Sequence, residues 1–561
     1  MTAPAAQPLP ALPLALAAGA LAGLALPPWG CPPLLWLALV PLWPLASRGL
    51  RLPLLLWGLA AVLVSHRWLL WLHPLDWIGV PLPLSLPLCL LLWFGCGLLG
   101  GLLVLGWGLL LQRLGPARFW SAVLAAAVWG LAEGLLARGP LFWVGLGASA
   151  LPGDRALAGL ASLGGAGLIA LVQLLISWCL WRSLPGASAS ARRALGLGLG
   201  LVLLGHAAGL AALALTPPEQ AEPERLLVVQ PAIPTRQKFQ PAQQQRLLAQ
   251  LAAALERLTP ARPTAATAGL SASARPGAPA SPPPQGTAGP GAGAAAASPV
   301  PAALAAMDPP GVDGVPADMA PSGGGGAGVS ALLLPEGALA LGQPLPLPPP
   351  LEVLSGGFRW QGESLRSSLL RFAPGDRRPG AWLDKHRLVP LGEWVPLAGL
   401  WRWSGLSAVG GVEPGSAGRL LHRPAGPVAV AICYELADGQ ALAQATRAGA
   451  GWLLAAANLD PYPALLQGQY RALAQLRAIE TGRWLVSAAN TGPSLLVDPR
   501  GQVRAALPSG MAASGELVLH PRHSLTAYDR WGETPLVLLL LLAGWRRLRA
   551  SSWLPAGGER C

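Results

Sequence analysis

The sequence predicts a polytopic α-helical membrane domain joined to an extracytoplasmic α/β domain, and three observations lead there. Hydrophobic residues make up 53% of the 561 residues and charged residues only 12%, with a mean hydropathy of +0.47, which is more apolar than a soluble globular chain. Apolar runs near the roughly 20 residues needed to cross a bilayer crowd the first 215 positions. After them, short strand-like runs alternate with helical stretches and turn residues, as in a layered α/β domain.

Seven spans are expected, over 8–27, 33–47, 52–72, 85–111, 118–138, 157–181 and 194–215, the second of them short. The first is read as a retained helix, because no Lys or Arg precedes Arg48 to form the basic start of a signal peptide. An eighth apolar run, 535–545, is shorter than a full span and ends on Arg546, Arg547 and Arg549. Arginines set the orientation. Arg48, Arg51, Arg113, Arg118, Arg182, Arg192 and Arg193 fall on one side with the C-terminal cluster, against Arg67, Arg138 and Arg155 on the other. The arginine-rich side is cytoplasmic by the positive-inside rule, which places the polar segment outside. The expected organisation is therefore a membrane domain at 1–216, an α/β domain at 217–533, and a last helix with a basic tail at 534–561.

The polar segment opens with the strand-like run Arg225-Leu-Leu-Val-Val-Gln230, followed by a helical stretch at 243–258. Residues 260–328 are Ala, Pro, Gly and Ser with hardly a charge, too poor in large apolar groups to build a core, and are read as a disordered insertion. Order resumes at 329–334. Strand-like runs follow at 428–432, 452–456, 484–488 and 494–498, with helical material at 464–479 and a hairpin turn at Asp498-Pro-Arg-Gly501.

Several function classes are disfavoured by composition. The net charge of +13 is carried by arginines that are scattered or sit at the ends of apolar runs, so no basic stripe suggests nucleic-acid binding. Only two lysines occur, Lys238 and Lys385. Of six cysteines, Cys31, Cys89, Cys96 and Cys179 lie in or beside apolar segments and Cys561 is the last residue. Cys433 stands alone in the polar half. No disulfide framework, metal-ligand spacing or cofactor motif can be read.

Three reactive side chains stand at the ends of strand-like runs: Glu336 in Leu334-Pro-Glu-Gly337, Lys385 in Asp384-Lys-His386, and Cys433 in Ile432-Cys-Tyr-Glu435. A rigid sheet can aim such groups into a loop-lined site. A carboxylate can take the thiol proton, and an ammonium can stabilise both the thiolate and the oxyanion formed when it attacks a carbonyl. Taken singly, each has a plain structural reading: an inert core cysteine, a turn, a solvated basic loop. Their conjunction shifts the weighing.

Read with its flanking motifs, this set resembles the nitrilase, or carbon-nitrogen hydrolase, superfamily, and within it the apolipoprotein N-acyltransferase family. The matching stretches are Leu334-Pro-Glu-Gly-Ala338, Lys385-His-Arg-Leu-Val-Pro-Leu-Gly-Glu-Trp-Val-Pro396, Ala431-Ile-Cys-Tyr-Glu435, Arg477-Ala-Ile-Glu-Thr-Gly-Arg483, Ala489-Asn-Thr-Gly492, Val497-Asp-Pro-Arg-Gly501 and Thr526-Ala-Tyr-Asp-Arg-Trp-Gly532. The resemblance implies an α-β-β-α sandwich with Glu336 as general base, Lys385 as oxyanion stabiliser and Cys433 as nucleophile. It implies supporting roles for Glu393, Glu435 and Tyr434. Possible lipid contacts are Phe239, where the family usually has Trp, Tyr462 in Ala457-Asn-Leu-Asp-Pro-Tyr462, and Trp143 in Phe142-Trp143.

The resemblance further implies an enzyme of the bacterial inner membrane with a periplasmic catalytic domain and no metal or cofactor. It would take an acyl group from membrane phospholipid, hold it as a thioester, and pass it to the N-terminal diacylglyceryl-cysteine of apolipoproteins. A membrane-tethered amidase is disfavoured because a hydrolase of soluble amides needs no seven spans. A transporter or scaffold with an inert domain is disfavoured because few polar residues, chiefly Glu133 and Gln173, fall within the spans.

Overall fold

Long runs of Leu, Ala and Val form helices throughout the first half, and Pro or Gly ends most of them. The structure is a computed structural model describing residues 10–76, 80–184, 188–216, 221–238, 240–258, 328–390, 392–393 and 411–551. Phe239, nearly all of the expected insertion, Trp394 to Pro396 of the lysine motif and Cys561 lie outside the described residues.

The helices are α1 (Ala11–Ala25), α2 (Pro32–Leu39), α3 (Leu42–Ser47), α4 (Arg51–Ser65), α5 (Leu82–Leu114), α6 (Phe119–Ala137), α7 (Arg155–Ala158), α8 (Ala161–Ser183) and α9 (Ala189–Ala214). Four of them, α5, α6, α8 and α9, are long and apolar enough to cross a membrane. Three of the expected spans differ from one uninterrupted helix. The second is two short helices separated at Val40 and Pro41. The third leaves the α-helix at Ser65 and continues as the 3₁₀ turn Arg67–Leu72. The sixth is interrupted inside α8, where Gly164 and Gly165 have non-helical backbone angles.

Among the described residues the polar half contributes twelve strands in two six-stranded sheets. One sheet holds β1 (Glu224–Gln230), β2 (Ala331–Leu334), β3 (Glu352–Gln361), β4 (Ser364–Phe372), β5 (Ala381–Asp384) and β12 (Ala513–Leu519), in the order β12-β1-β2-β3-β4-β5. The other holds β6 (Leu420–Leu421), β7 (Val428–Ile432), β8 (Trp452–Ala457), β9 (Leu485–Ala489), β10 (Leu495–Val497) and β11 (Val503–Ala506), in the order β11-β10-β9-β8-β7-β6. At the centre of each sheet the strands are parallel, β1-β2-β3 and β7-β8-β9.

Strand alternation creates the layers. Leu226, Val228, Leu333 and Leu354 of the first sheet pack against Val430, Ile432, Leu454 and Val486 of the second. The other face of the first sheet, with Val229, Leu332 and Val353, is covered by Leu247 and Leu251 of α10 (Pro241–Leu258). The outer face of the second, with Ala429, Ala431 and Ala455, is covered by α11 (Gly439–Arg447) and α12 (Ala464–Thr481). The result is an α-β-β-α sandwich.

The same outer layer joins the membrane helices. Tyr470, Leu473 and Leu476 of α12 share one core with Val144, Ala148, Leu160 and Ile169. Polar contacts fix the junction: Gln469 Nε2 donates to the Ser65 carbonyl at 2.9 Å, and the Ala166 N–H donates to Glu480 Oε1 at 3.1 Å. The chain then returns through α13 (Ala527–Trp531) to α14 (Thr534–Ser551), which packs on α6. With 18 residues, α14 is longer than the apolar run alone suggests.

Candidate active site

Three strand ends converge. Glu336 follows β2, Lys385 follows β5, and Cys433 follows β7, so the first sheet supplies the carboxylate and the ammonium and the second supplies the thiol. Lys385 Nζ lies 2.6 Å from Glu336 Oε1 and 2.9 Å from Glu393 Oε1. Glu336 Oε2 accepts from the Asn458 N–H at 3.1 Å, and Glu393 Oε2 from the Val389 N–H at 2.9 Å. Lys385 is 1% exposed, so this cation is held and not mobile.

Cys433 has a left-handed backbone, φ +55, which a non-glycine residue adopts only when its surroundings impose it. Glu435 is one source of that constraint. Its Oε2 accepts from the Ile432 N–H at 2.9 Å, its Oε1 from the His386 and Arg387 N–H groups at 2.8 and 3.0 Å, and Arg419 Nη1 donates to both oxygens at 2.9 and 2.8 Å. Glu435 therefore ties the loop after Lys385 to the turn that carries the thiol. Tyr434 donates its hydroxyl to the Leu388 carbonyl at 2.7 Å, and its ring lies 4.7 Å from the Arg387 guanidinium.

The charge balance is set locally. Burial pushes the Cys433 thiol up, the Glu336 carboxylate pushes it further, and Lys385 opposes them only in part. Burial would lower the Lys385 ammonium, but Glu336 and Glu393 overrule it and hold it well above its usual value. Burial would raise Glu336, yet the Lys385 ammonium keeps it below the usual carboxylate range. Burial raises Glu393, against the pull of Lys385. The resting site is a neutral thiol beside an ionised acceptor and a cation.

Cys433 opens onto a cavity of about 150 Å³ whose wall comes from both halves of the chain. Trp68, Leu72, Leu92, Cys96 and Phe142 face it from the membrane half, and Leu459, Tyr462 and Tyr470 from the α/β half. Trp143 does not line it. It faces a separate cavity of about 380 Å³ among the membrane helices, with Trp57, Trp107 and Trp129. Tyr462 packs edge-on against Trp68, with ring centroids 5.6 Å apart.

Two family models match the chain: the apolipoprotein N-acyltransferase N-terminal domain over residues 18–179, and carbon-nitrogen hydrolase over 384–512. An apolipoprotein N-acyltransferase of Prochlorococcus marinus (strain MIT 9313) is 43% identical, covering 96% of this chain and 96% of its own. The chain belongs to the apolipoprotein N-acyltransferase family. The protein of that name from Parasynechococcus marenigrum (strain WH8102) is 43% identical over 92% of this chain and 96% of its own. A solved nitrilase-superfamily protein of Saccharomyces cerevisiae covers 54% of this chain and 92% of its own at 13% identity, with a TM-score of 0.33.

In this member of the apolipoprotein N-acyltransferase family, several site residues carry no signal in the residue pattern. Arg419 and Asn458 reach the site through loop geometry alone. Trp68, Leu72 and Leu92 look like ordinary span residues until the fold sets them opposite the thiol. Lys238 had one clue, as one of two lysines in an arginine-rich chain.

Proposed function

We propose that this chain transfers a fatty acyl group from membrane phospholipid to the α-amino group of the N-terminal S-diacylglyceryl-cysteine of apolipoproteins, by a ping-pong route through a thioester on Cys433. The observation that carries the reading is the cavity over the thiol, half of whose lining residues come from the membrane half and are apolar. A lipid chain fits such a wall, and substrates confined to a bilayer leaflet meet the thiol without a search through bulk solution.

In the first half-reaction the Cys433 proton passes to Glu336 as Sγ attacks the ester carbonyl. The oxyanion forms beside Lys385 Nζ and a backbone N–H of the cysteine turn. Collapse breaks the ester C–O bond, and the proton on Glu336 goes to the departing lysophospholipid oxygen. In the second, Glu336 takes a proton from the attacking amine, the C–S bond breaks, and the thiol is restored. Burial of Cys433 and its apolar surroundings keep water from competing with the amine. The catalytic half lies on the outer face of a bacterial inner membrane in this reading, with the arginine-rich loops inside.

The test is intact-mass analysis of the purified protein incubated with phospholipid alone. A hydroxylamine-sensitive fatty-acyl adduct on the wild type and not on Cys433→Ala is expected. Folded wild-type protein that forms no adduct and releases no lysophospholipid would overturn the reading.

A further inference from the structure

A second ammonium stands behind Glu336. Lys238 is 8% exposed, and its Nζ donates to the Glu336 main-chain carbonyl at 3.0 Å. Arginines outnumber lysines throughout this chain, yet both of its lysines converge on this one residue, Lys385 on a carboxylate oxygen and Lys238 on the main-chain carbonyl.

The turn is closely packed on both neighbours. A Cβ on Gly337, itself at φ +59, would lie 2.6 Å from Lys238 Nζ. A Cβ on Gly356 of β3 would collide with Pro335 and the Glu336 backbone. The Pro335-Glu336-Gly337 turn thus packs against a bare strand backbone and a compact ammonium.

We infer that Lys238 is a positioning residue for the reaction: it fixes the Glu336 turn through the main-chain carbonyl and supplies a second positive charge that keeps the Glu336 carboxylate ready to accept the thiol proton. The inference rests on the triad reading of the proposed function. Titratable groups facing the pair are Lys385, Glu393, Cys433, Asp460, Tyr462 and Tyr470. Burial lowers the Lys238 ammonium to about 8, opposed by Glu336, so it is charged at neutral pH. Removing it makes ionised Glu336 less favourable, and the carboxylate pKa rises.

The experiment follows the rate of Cys433 acylation by phospholipid against pH, by intact mass on full-length protein in detergent. Wild type, Lys238→Gln and Lys238→Met are compared. Gln keeps a donor for the carbonyl but no charge, whereas Met keeps neither. Both are expected to move the acidic limb of the profile to higher pH, and Met is expected also to lower the plateau about tenfold. An unmoved limb in both variants, with or without a lower plateau, overturns the inference and leaves Lys238 a structural residue at most. If Met does not fold, Gln alone decides. Wild-type protein that never acylates marks failure of the triad reading instead, so the two failures are distinguishable.

Discussion

At Lys385 two carboxylates share one buried cation, and that arrangement sets the acid limit of the chemistry. Because Glu336 is held below its usual range, acylation is expected to stay level through neutral pH and to fall only below the ordinary carboxylate range. Lys385→Met removes the cation. It is predicted to move that fall to higher pH and to cut the plateau rate by about 100-fold or more through loss of the oxyanion partner. Lysophospholipid release measures both, and an unchanged plateau would show that Lys385 is dispensable. Asp529 illustrates a different balance. It is fully buried, and burial raises its carboxyl to about 7, against hydrogen bonds from Thr526 and the field of Arg483. A carboxyl raised on folding adds stability that is complete below about pH 4, its ordinary value, and is lost as pH climbs through 7. Asp529→Asn keeps the shape of the Thr526 cap and removes the titration. The drop in melting temperature between pH 5 and pH 8 is predicted to become shallower in the variant.

Among the elements, the two sheets are joined by a buried ionic bridge as well as by an apolar core. Arg423, just past β6, has a fully buried side chain and contacts Glu224 of β1 and Glu352 of β3. Arg423→Ala would leave buried Glu224 without its cation and Glu352 with Arg371 alone, and the predicted loss is about 3–5 kcal/mol of stability, read from denaturant or thermal unfolding. Several elements were legible beforehand because their patterns are clean. The runs at 225–230, 428–432 and 452–456 became β1, β7 and β8, and the helical material at 464–479 became part of α12. The hairpin β3–β4 and the strand β12 were not expected. Arg359, Arg366 and Arg371 interrupt their apolar pattern, and pairing between strands, which no local window contains, holds them in place. Backbone breaks inside the expected spans carry no side-chain signal, as at Gly164–Gly165 inside α8. There a Cβ on Gly165 would lie 2.5 Å from the ring of Tyr528, so the break accommodates the returning chain.

For the whole molecule, the site is divided between halves that do not complete it separately. The α/β half contributes the thiol, carboxylate and ammonium, and the membrane half contributes much of the wall above them. The outer face of α12 is covered by the membrane half and is largely apolar. Residues 221–524 expressed alone are predicted to associate through this bared face and to form no acyl adduct with phospholipid in micelles. Light scattering and intact mass check this, and a monodisperse, acylating fragment would contradict it.

The sequence by itself determined the membrane-plus-α/β architecture, because hydrophobic run length and strand periodicity are local properties. It also nominated Glu336, Lys385 and Cys433, because reactive residues at strand ends can be read in a line. Only the tertiary structure decided that Glu336 and Lys385 are in contact, that Glu435 ties two loops together, that Phe142 and not Trp143 faces the thiol, and that Lys238 stands behind the carboxylate. Those relations join residues tens to hundreds of positions apart. Their distances follow from sheet pairing and helix docking, which are properties of the packed chain and of no segment within it.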